Sequence, residues 1–286
     1  MYRTILGTFL LSLCGSACLA ADKPITGQWM IDSTVLPDQV QLTLHRSSSG
    51  HGGSTNSSPI PLRQLNGLTR AQMDDANGAT VHFEIIRDAG VLACEGYFKR
   101  SNGAGSFTFS ADPGFISEMR SLGYTGLSDE QVFSMAVHDV SREYVREMRA
   151  LGLKPSADEL ITMRIHTVTI EYIKDLQSLG HDKLQPDQLV TMRIHGVEPG
   201  FIRELNQLGY RSVSADELVT MRIHEATTDF IRKLRSLGYE HPTIDQLVTM
   251  RIHGVTPDYI QKLNARGMKG LSIDQLVSLR IHGIVD

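Results

Sequence analysis

From residue 112 onward, apolar and polar positions recur in one order with a period of 29 residues. The stretch DELVTMRIH at 216–224 returns at 158–166, 187–195, 245–253 and 274–282 with small changes, and in a worn copy at 130–138. Its methionine falls at Met135, Met163, Met192, Met221 and Met250, then Leu279, so the spacing is 28 once and 29 four times. Self-similarity at such a period is the signature of a repeat architecture. The first half of each period sets Phe230, Ile231, Leu234 and Leu237 within a stripe of about 120°, which predicts a helix burying one face. Asp112, Ser141, Thr169, Glu198, Thr227 and Thr256 stand at its start, and most are good N-caps. Pro113, Pro199 and Pro257 follow at the first helical position. Gly123, Gly152, Gly180, Gly209, Gly238 and Gly267 end it. A second helix opens with a capping box: Ser128 with Gln131, Ser156 with Glu159, Ser214 with Glu217, Thr243 with Gln246, Ser272 with Gln275. Gln185-Pro186 replaces the box in the third repeat. Leu218, Val219, Met221 and Ile223 supply the expected apolar face, and the helix ends beside His224.

Helices of about 11 residues are only about 16 Å long and are marginal when isolated in water. Each pair must therefore stack on its neighbours, which predicts an αα solenoid. Arg266 stands where the other repeats have Leu122, Leu151, Leu179, Leu208 and Leu237, as a polar end-cap requires. Ahead of the repeats the pattern changes to period two. Segments 26–32, 40–45, 80–86, 91–98 and 105–110 read as strands, with hairpin turns at 87–90 and 100–103. The Gly/Ser-rich segment 47–58 reads as a flexible loop. Trp29 and Phe98 are expected in the core. The fold class is thus α+β: a small antiparallel β domain at 21–111, then an αα-hairpin solenoid of six repeats of about 29 residues at 112–286.

Residues 1–20 have the order of a secretory signal peptide: Arg3, an apolar run, then small residues through Ala20-Ala21. Cleavage after Ala20 or Ala21 gives a periplasmic or secreted protein. A lipidated Cys18 is the alternative, disfavoured by Gly15 where a large aliphatic residue is expected. Cys14 and Cys18 go with the signal, leaving Cys94, expected to be buried and inert. No later stretch is apolar enough for a membrane span. A net charge of −4, with 21% charged and 41% hydrophobic residues, describes an ordinary soluble chain and argues against a nucleic-acid partner.

The unit running from Thr256-Pro257-Asp258-Tyr259-Ile260 through Gly267 and Asp274-Gln275-Leu276 to Arg280-Ile281-His282 resembles helical repeats attached to bacterial membrane metallopeptidases of the beta-lactam-sensor type. Similar repeats occur in stand-alone exported proteins, and the lead-in Gly105-Ser106-Phe107-Thr108-Phe109 is similar to the segment preceding such arrays. The resemblance implies architecture and compartment rather than an activity. The peptidase part is absent: His224-Glu225 is followed by Ala226-Thr227-Thr228, so the HExxH zinc motif fails at its second histidine.

Candidate chemistry is sparse. His138, His166, His195, His224, His253 and His282 recur once per repeat. Packed helices lie about 8–10 Å apart, too far to share a zinc, so a helix-terminal role is expected. His45, His51 and His82 lack metal-ligand spacing. Taking leucine of the second helix as 0°, valine lies at 100°, methionine at 300°, arginine at 40° and isoleucine at 140°. Arg164, Arg193, Arg222, Arg251 and Arg280 thus fall inside the apolar arc and need partners. Pairing with the acid of the preceding repeat satisfies all of them: Arg164 with Glu130, Arg193 with Asp158, Arg222 with Asp187, Arg251 with Asp216, Arg280 with Asp245. Breaking such a buried pair costs about 3–5 kcal/mol, so Asp216→Ala should destabilise while Asp274→Ala should not. An anion-binding groove is the alternative. Arg146, Lys174, Arg203 and Arg232 form an outward ridge on the first helices, the candidate binding surface. The expected function is an exported, non-enzymatic scaffold or regulatory module for a protein or peptide of the bacterial envelope, with no cofactor and no metal. The alternatives are a hydrolase drawing on His82, Glu84, Asp88 and Glu95, and a metal or anion sensor using the histidine and arginine ladder.

Overall fold

The computed structural model describes residues 24–33, 38–46 and 53–284. The signal segment with Cys14 and Cys18, and His51, lie outside them. A six-stranded antiparallel sheet is followed by a run of short helices. The strands are β1 (Ile25–Ser33), β2 (Gln39–Arg46), β3 (Ser54–Pro61), β4 (Ala79–Arg87), β5 (Gly90–Lys99) and β6 (Asn102–Ala111). Their order is β3-β2-β1-β6-β5-β4. The chain divides into two compact parts: residues up to 62 with 68–82 and 93–110, and residues 63–67 and 83–92 with everything from 111 onward. The boundary therefore runs through the β4–β5 hairpin, whose tip belongs to the part that holds the helices.

In the first part, alternation sorts the strands into two faces, as period two dictates. Trp29, Ile31, Val40, Leu42, Leu44, Val81, Cys94, Phe98, Phe107 and Phe109 are buried. Gln28, Met30, Thr80, His82, Glu95, Tyr97, Ser106 and Thr108 are exposed. Trp29 and Phe98 stack at 5.6 Å, and the indole N–H donates to the Glu95 carbonyl at 3.2 Å. A Cβ at Gly96 would meet the Trp29 ring at 2.5 Å, so only glycine lets the indole lie flat there. Burial pushes the Cys94 thiol up to about 12.

Three elements were not expected, one of them a single 3-10 turn at Leu62–Gln64. β3 occupies part of the segment read as a loop, where no apolar alternation announces it. It holds to β2 by backbone pairing and by hydroxyl contacts, Ser57 Oγ lying 2.8 Å from both Gln41 Nε2 and Thr43 Oγ1. As an edge strand it tolerates Pro59 and Pro61. The short helix α1 (Arg70–Asp74) carries a Thr69/Gln72 capping box.

The second part holds six helix pairs among its described residues. The first helices are α2 (Pro113–Ser121), α4 (Arg142–Ala150), α6 (Ile170–Ser178), α8 (Pro199–Gln207), α10 (Thr228–Ser236) and α12 (Pro257–Ala265). The second helices are α3 (Asp129–Val137), α5 (Ala157–Ile165), α7 (Pro186–Ile194), α9 (Ala215–Ile223), α11 (Ile244–Ile252) and α13 (Ile273–Ile281). Every one of these helices has nine residues. Each second helix touches the next second helix, and each first helix the next first helix, so the pairs stack in two rows. The expected caps are in place: Ser141 accepts from the Tyr144 N–H at 3.1 Å and Ser214 from the Glu217 N–H at 3.2 Å. Gly123 through Gly267 adopt positive φ at the ends of the first helices. The buried seam takes a leucine and a methionine from most second helices, such as Leu218 and Met221, and from most first helices an aromatic and two apolar side chains, such as Phe230, Ile231 and Leu234. Among the described residues, no helix is long and apolar enough to cross a membrane.

Candidate functional site

The arginine ladder is structural, though not in the way expected. Each guanidinium lies over the aromatic ring of its own repeat's first helix: Arg164 on Tyr144 at 5.1 Å, Arg193 on Tyr172 at 4.8 Å, Arg222 on Phe201 at 5.3 Å, Arg251 on Phe230 at 5.4 Å, Arg280 on Tyr259 at 5.0 Å. Each also reaches the C-terminal end of the preceding repeat's second helix. Arg164 and Arg251 donate to the His138 and His224 carbonyls, both at 3.2 Å. Arg193 donates to Thr167 Oγ1 at 3.0 Å. Arg222 and Arg280 lie against Gly196 and Gly254. These cations thus serve the carbonyl end of a helix, where positive charge is favoured. Their carboxylate partners are Asp139 at 3.4 Å for Arg164, Glu198 at 2.7 Å for Arg193 and Glu225 at 2.6 Å for Arg251.

The expected pairing of these arginines with buried helix-two acids is therefore corrected. Glu130, Asp158, Asp187, Asp216 and Asp245 are all exposed, and Asp158 accepts instead from Gln131 Nε2 at 2.9 Å. The acid sits in the first turn and the arginine in the last, six residues on. That is about 9 Å along the axis, and neighbouring second helices run in the same direction. In the first repeat Ala136 replaces arginine, and Arg142 of α4 covers Phe115 at 5.4 Å instead. Asp88 at 3.4 Å, Asp112 at 2.9 Å and Glu118 at 3.3 Å hold Arg142 in place.

The outward ridge of first-helix cations is a second ladder, of ion pairs on the exposed side of the array. Arg146 pairs with Glu118, Lys174 with Glu147 at 3.1 Å, Arg203 with Asp175 at 2.9 Å and Arg232 with Glu204 at 2.9 Å. Each cation is matched by an acid one repeat earlier. The Thr228 hydroxyl and then Arg232 hold the Glu204 carboxyl below its ordinary range. The series stops at Lys233, which stands in the acid's place and turns to Asp229 of its own helix at 2.9 Å.

The histidines occupy the C-cap of every second helix. Burial, and then Arg164, lower the His138 pKa. Among the described residues, no group of three or more His, Cys, Asp or Glu side chains could hold a metal. Of the hydrolase candidates, His82 and Glu95 face each other at 3.6 Å, both more than two-thirds exposed. Asp88, at the hairpin tip, accepts from the Arg142 backbone N–H at 2.7 Å, which commits it to the α4 N-terminus.

What the sequence reading missed is a row of isoleucines. Ile165, Ile194, Ile223, Ile252 and Ile281, assigned to the buried face, are 48%, 55%, 52%, 54% and 57% exposed. The reason is geometric. Leucine and methionine, at 0° and 300°, set the buried direction near 330°, and isoleucine at 140° lies about 170° from it. A signal was available: an apolar arc of about 200° is too wide for one buried stripe. The same outward face carries the first-turn acid at about 160° and a threonine or serine at about 200°. Thr162, Thr191 and Thr220 each return their hydroxyl to the carbonyl four residues back at 2.8 Å. The face that each repeat offers is thus acid, hydroxyl, isoleucine, with Glu130, Ser134 and Val137 in the first. Comparison with known protein families and with curated proteins finds no match for this chain.

Proposed function

We propose that this chain is an exported, non-enzymatic scaffold whose helical repeats bind a polypeptide partner in the bacterial envelope. The observation that carries this reading is the isoleucine row: one large apolar side chain per repeat stays half in water at the same helical position five times over. An exposed apolar series of this kind marks an interaction surface, and stacked repeats supply it in an extended form. The cations that competed for this role are engaged within the array. Export rests on the signal-like order of residues 1–20, and the resemblance to repeats of exported envelope proteins points the same way. Covering the exposed half of five isoleucines is worth on the order of 4–7 kcal/mol. Association itself costs an estimated 4–15 kcal/mol, so the partner must add polar contacts.

Photo-cross-linking in cells tests the reading. A photoreactive phenylalanine analogue at position 194 or 223 should give a discrete adduct with a second polypeptide, recovered from the periplasm or medium. The same analogue at position 203, on the paired ridge, should not. The recovered chain, weighed intact, should begin at Ala21 or Asp22. Equal adducts at 203 and 223, none at all, or a chain retaining Met1 would overturn the proposal.

A further inference from the structure

The isoleucine row has a chemical neighbour that narrows what can lie on it. We infer that the face takes a cationic amphipathic helix running across the repeats, a deduction that rests on the binding role proposed above. In each repeat a carboxylate shares the outward side of the second helix with the isoleucine, seven residues before it: Asp158 with Ile165, Asp187 with Ile194, Asp216 with Ile223, Asp245 with Ile252, Asp274 with Ile281. Seven residues are about 10.5 Å of axis, so the array presents two parallel rows, one apolar and one acidic. The acids are exposed and the ladder arginines are turned onto their aromatic rings. The positions between the rows hold threonine or serine. The nearest cations beyond the acids, Lys154, Lys183, Arg211 and Lys269, stand in the loops before the helices.

Spacing selects the shape of the occupant. Neighbouring helices stack about 8–10 Å apart, so the isoleucines recur at about that interval. A partner helix repeats its face every seven residues, about 10.5 Å. An extended strand repeats every two residues, about 6.7 Å, and falls out of step by the second repeat. A helix is also about 10–12 Å wide. Leucines along one side can therefore follow the isoleucines while lysines on the flank reach the carboxylates. Charge selects against the other occupants. A second copy would set the same acids against these acids, and an anionic lipid surface would be repelled by them.

Fluorescence anisotropy with the full chain tests this, using three labelled 24-residue peptides. One carries a leucine heptad stripe flanked by lysines. The second carries glutamates in place of the lysines, and the third serines in place of the leucines. The lysine–leucine peptide should bind at least tenfold more tightly than either of the others, and more weakly as salt rises. Its affinity should fall at least tenfold in Ile194→Ser/Ile223→Ser/Ile252→Ser and in Asp187→Asn/Asp216→Asn/Asp245→Asn. Because all six positions are exposed, both variants should keep the parent circular dichroism and stay folded at the assay temperature, the asparagine variant melting slightly lower because three helices lose a first-turn acid. Equal binding of the lysine and glutamate peptides, lost only in the isoleucine variant, overturns the cationic partner and leaves the scaffold standing. Binding unchanged in both variants overturns the site. No binding of any peptide, beside a positive cross-link at position 223, overturns the helical cation while keeping the scaffold. A concentration-dependent dimer abolished by the isoleucine variant assigns the face to a second copy and overturns the inference.

Discussion

At the residue scale, one helix-end pattern is met with different side chains. The position after each helix-two histidine takes a left-handed backbone conformation, with glycine in three repeats and Asp139, Thr167 and Glu225 in the others at φ of 56°, 54° and 54°. Non-glycine residues there cost roughly 1–3 kcal/mol each. Two of them are the acids that meet Arg164 and Arg251, and Thr167 meets Arg193, which offsets the strain. His138 is the helix-ending histidine for which burial lowers the pKa; His181, in the loop after α6, is lowered for the same reason. A base with a depressed folded-state pKa favours its neutral form in the native protein. Its contribution is complete above the unfolded histidine value of about 6.5. It is lost as pH falls from there toward the lower folded value, because protonation then favours the unfolded chain. The urea midpoint should therefore drop between pH 7.5 and pH 5, and the drop should shrink in His138→Gln/His181→Gln. An equal drop in the variant would remove these histidines from the account.

At the scale of the element, each second helix has three working sides. Leucine and methionine face the seam, the arginine edge closes the preceding helix, and the acid–isoleucine side faces water. This ordering reverses the expectation for Asp216. An exposed first-turn acid gains only about 0.3–1 kcal/mol from the helix dipole, so Asp216→Asn should cost no more than that. Arg193→Ala should cost about 1–2 kcal/mol, since it removes a stacked cation together with its contacts to Glu198 and Thr167. Urea unfolding of the two variants measures both, and equal losses would restore the buried-pair picture. The caps, glycines and prolines of these helices were legible in the sequence because they act on the nearest turn of backbone. The arginine partners were not. A position inside an apolar arc says that a charge is half-buried but not whether a carboxylate, a carbonyl or a ring awaits it. Here all three contribute.

At the scale of the molecule, the junctions between repeats reuse the same contacts: arginine over the aromatic of its own repeat, arginine on the previous helix end and, at the first four junctions, an outer ion pair. Such an array should lose a whole period without losing its fold. Deleting residues 198–226, one full period of 29, joins Val197 to Thr227, which stands where Glu198 stood as N-cap. The shortened chain should keep its helical circular dichroism and unfold cooperatively with a smaller m-value, since less surface is exposed. Deleting only 198–211 leaves a second helix without its partner and should abolish cooperative unfolding. Loss of cooperativity in both deletions would argue against interchangeable repeats.

The sequence alone determined the period, the helix boundaries, the sheet of alternating strands and the α+β class. These follow from local chemistry: capping side chains, glycines at positive φ, and periodicities of two and 3.6. It misjudged β3, because an edge strand can be held by backbone bonds and hydroxyls that leave no apolar alternation. It also placed Ile223 and its equivalents inside. Which part of a wide apolar arc is buried depends on where the neighbouring helix lies, and that direction comes from packing against residues a repeat away. Only the tertiary structure fixed it, and in doing so it left one isoleucine and one aspartate of every full repeat together in the solvent.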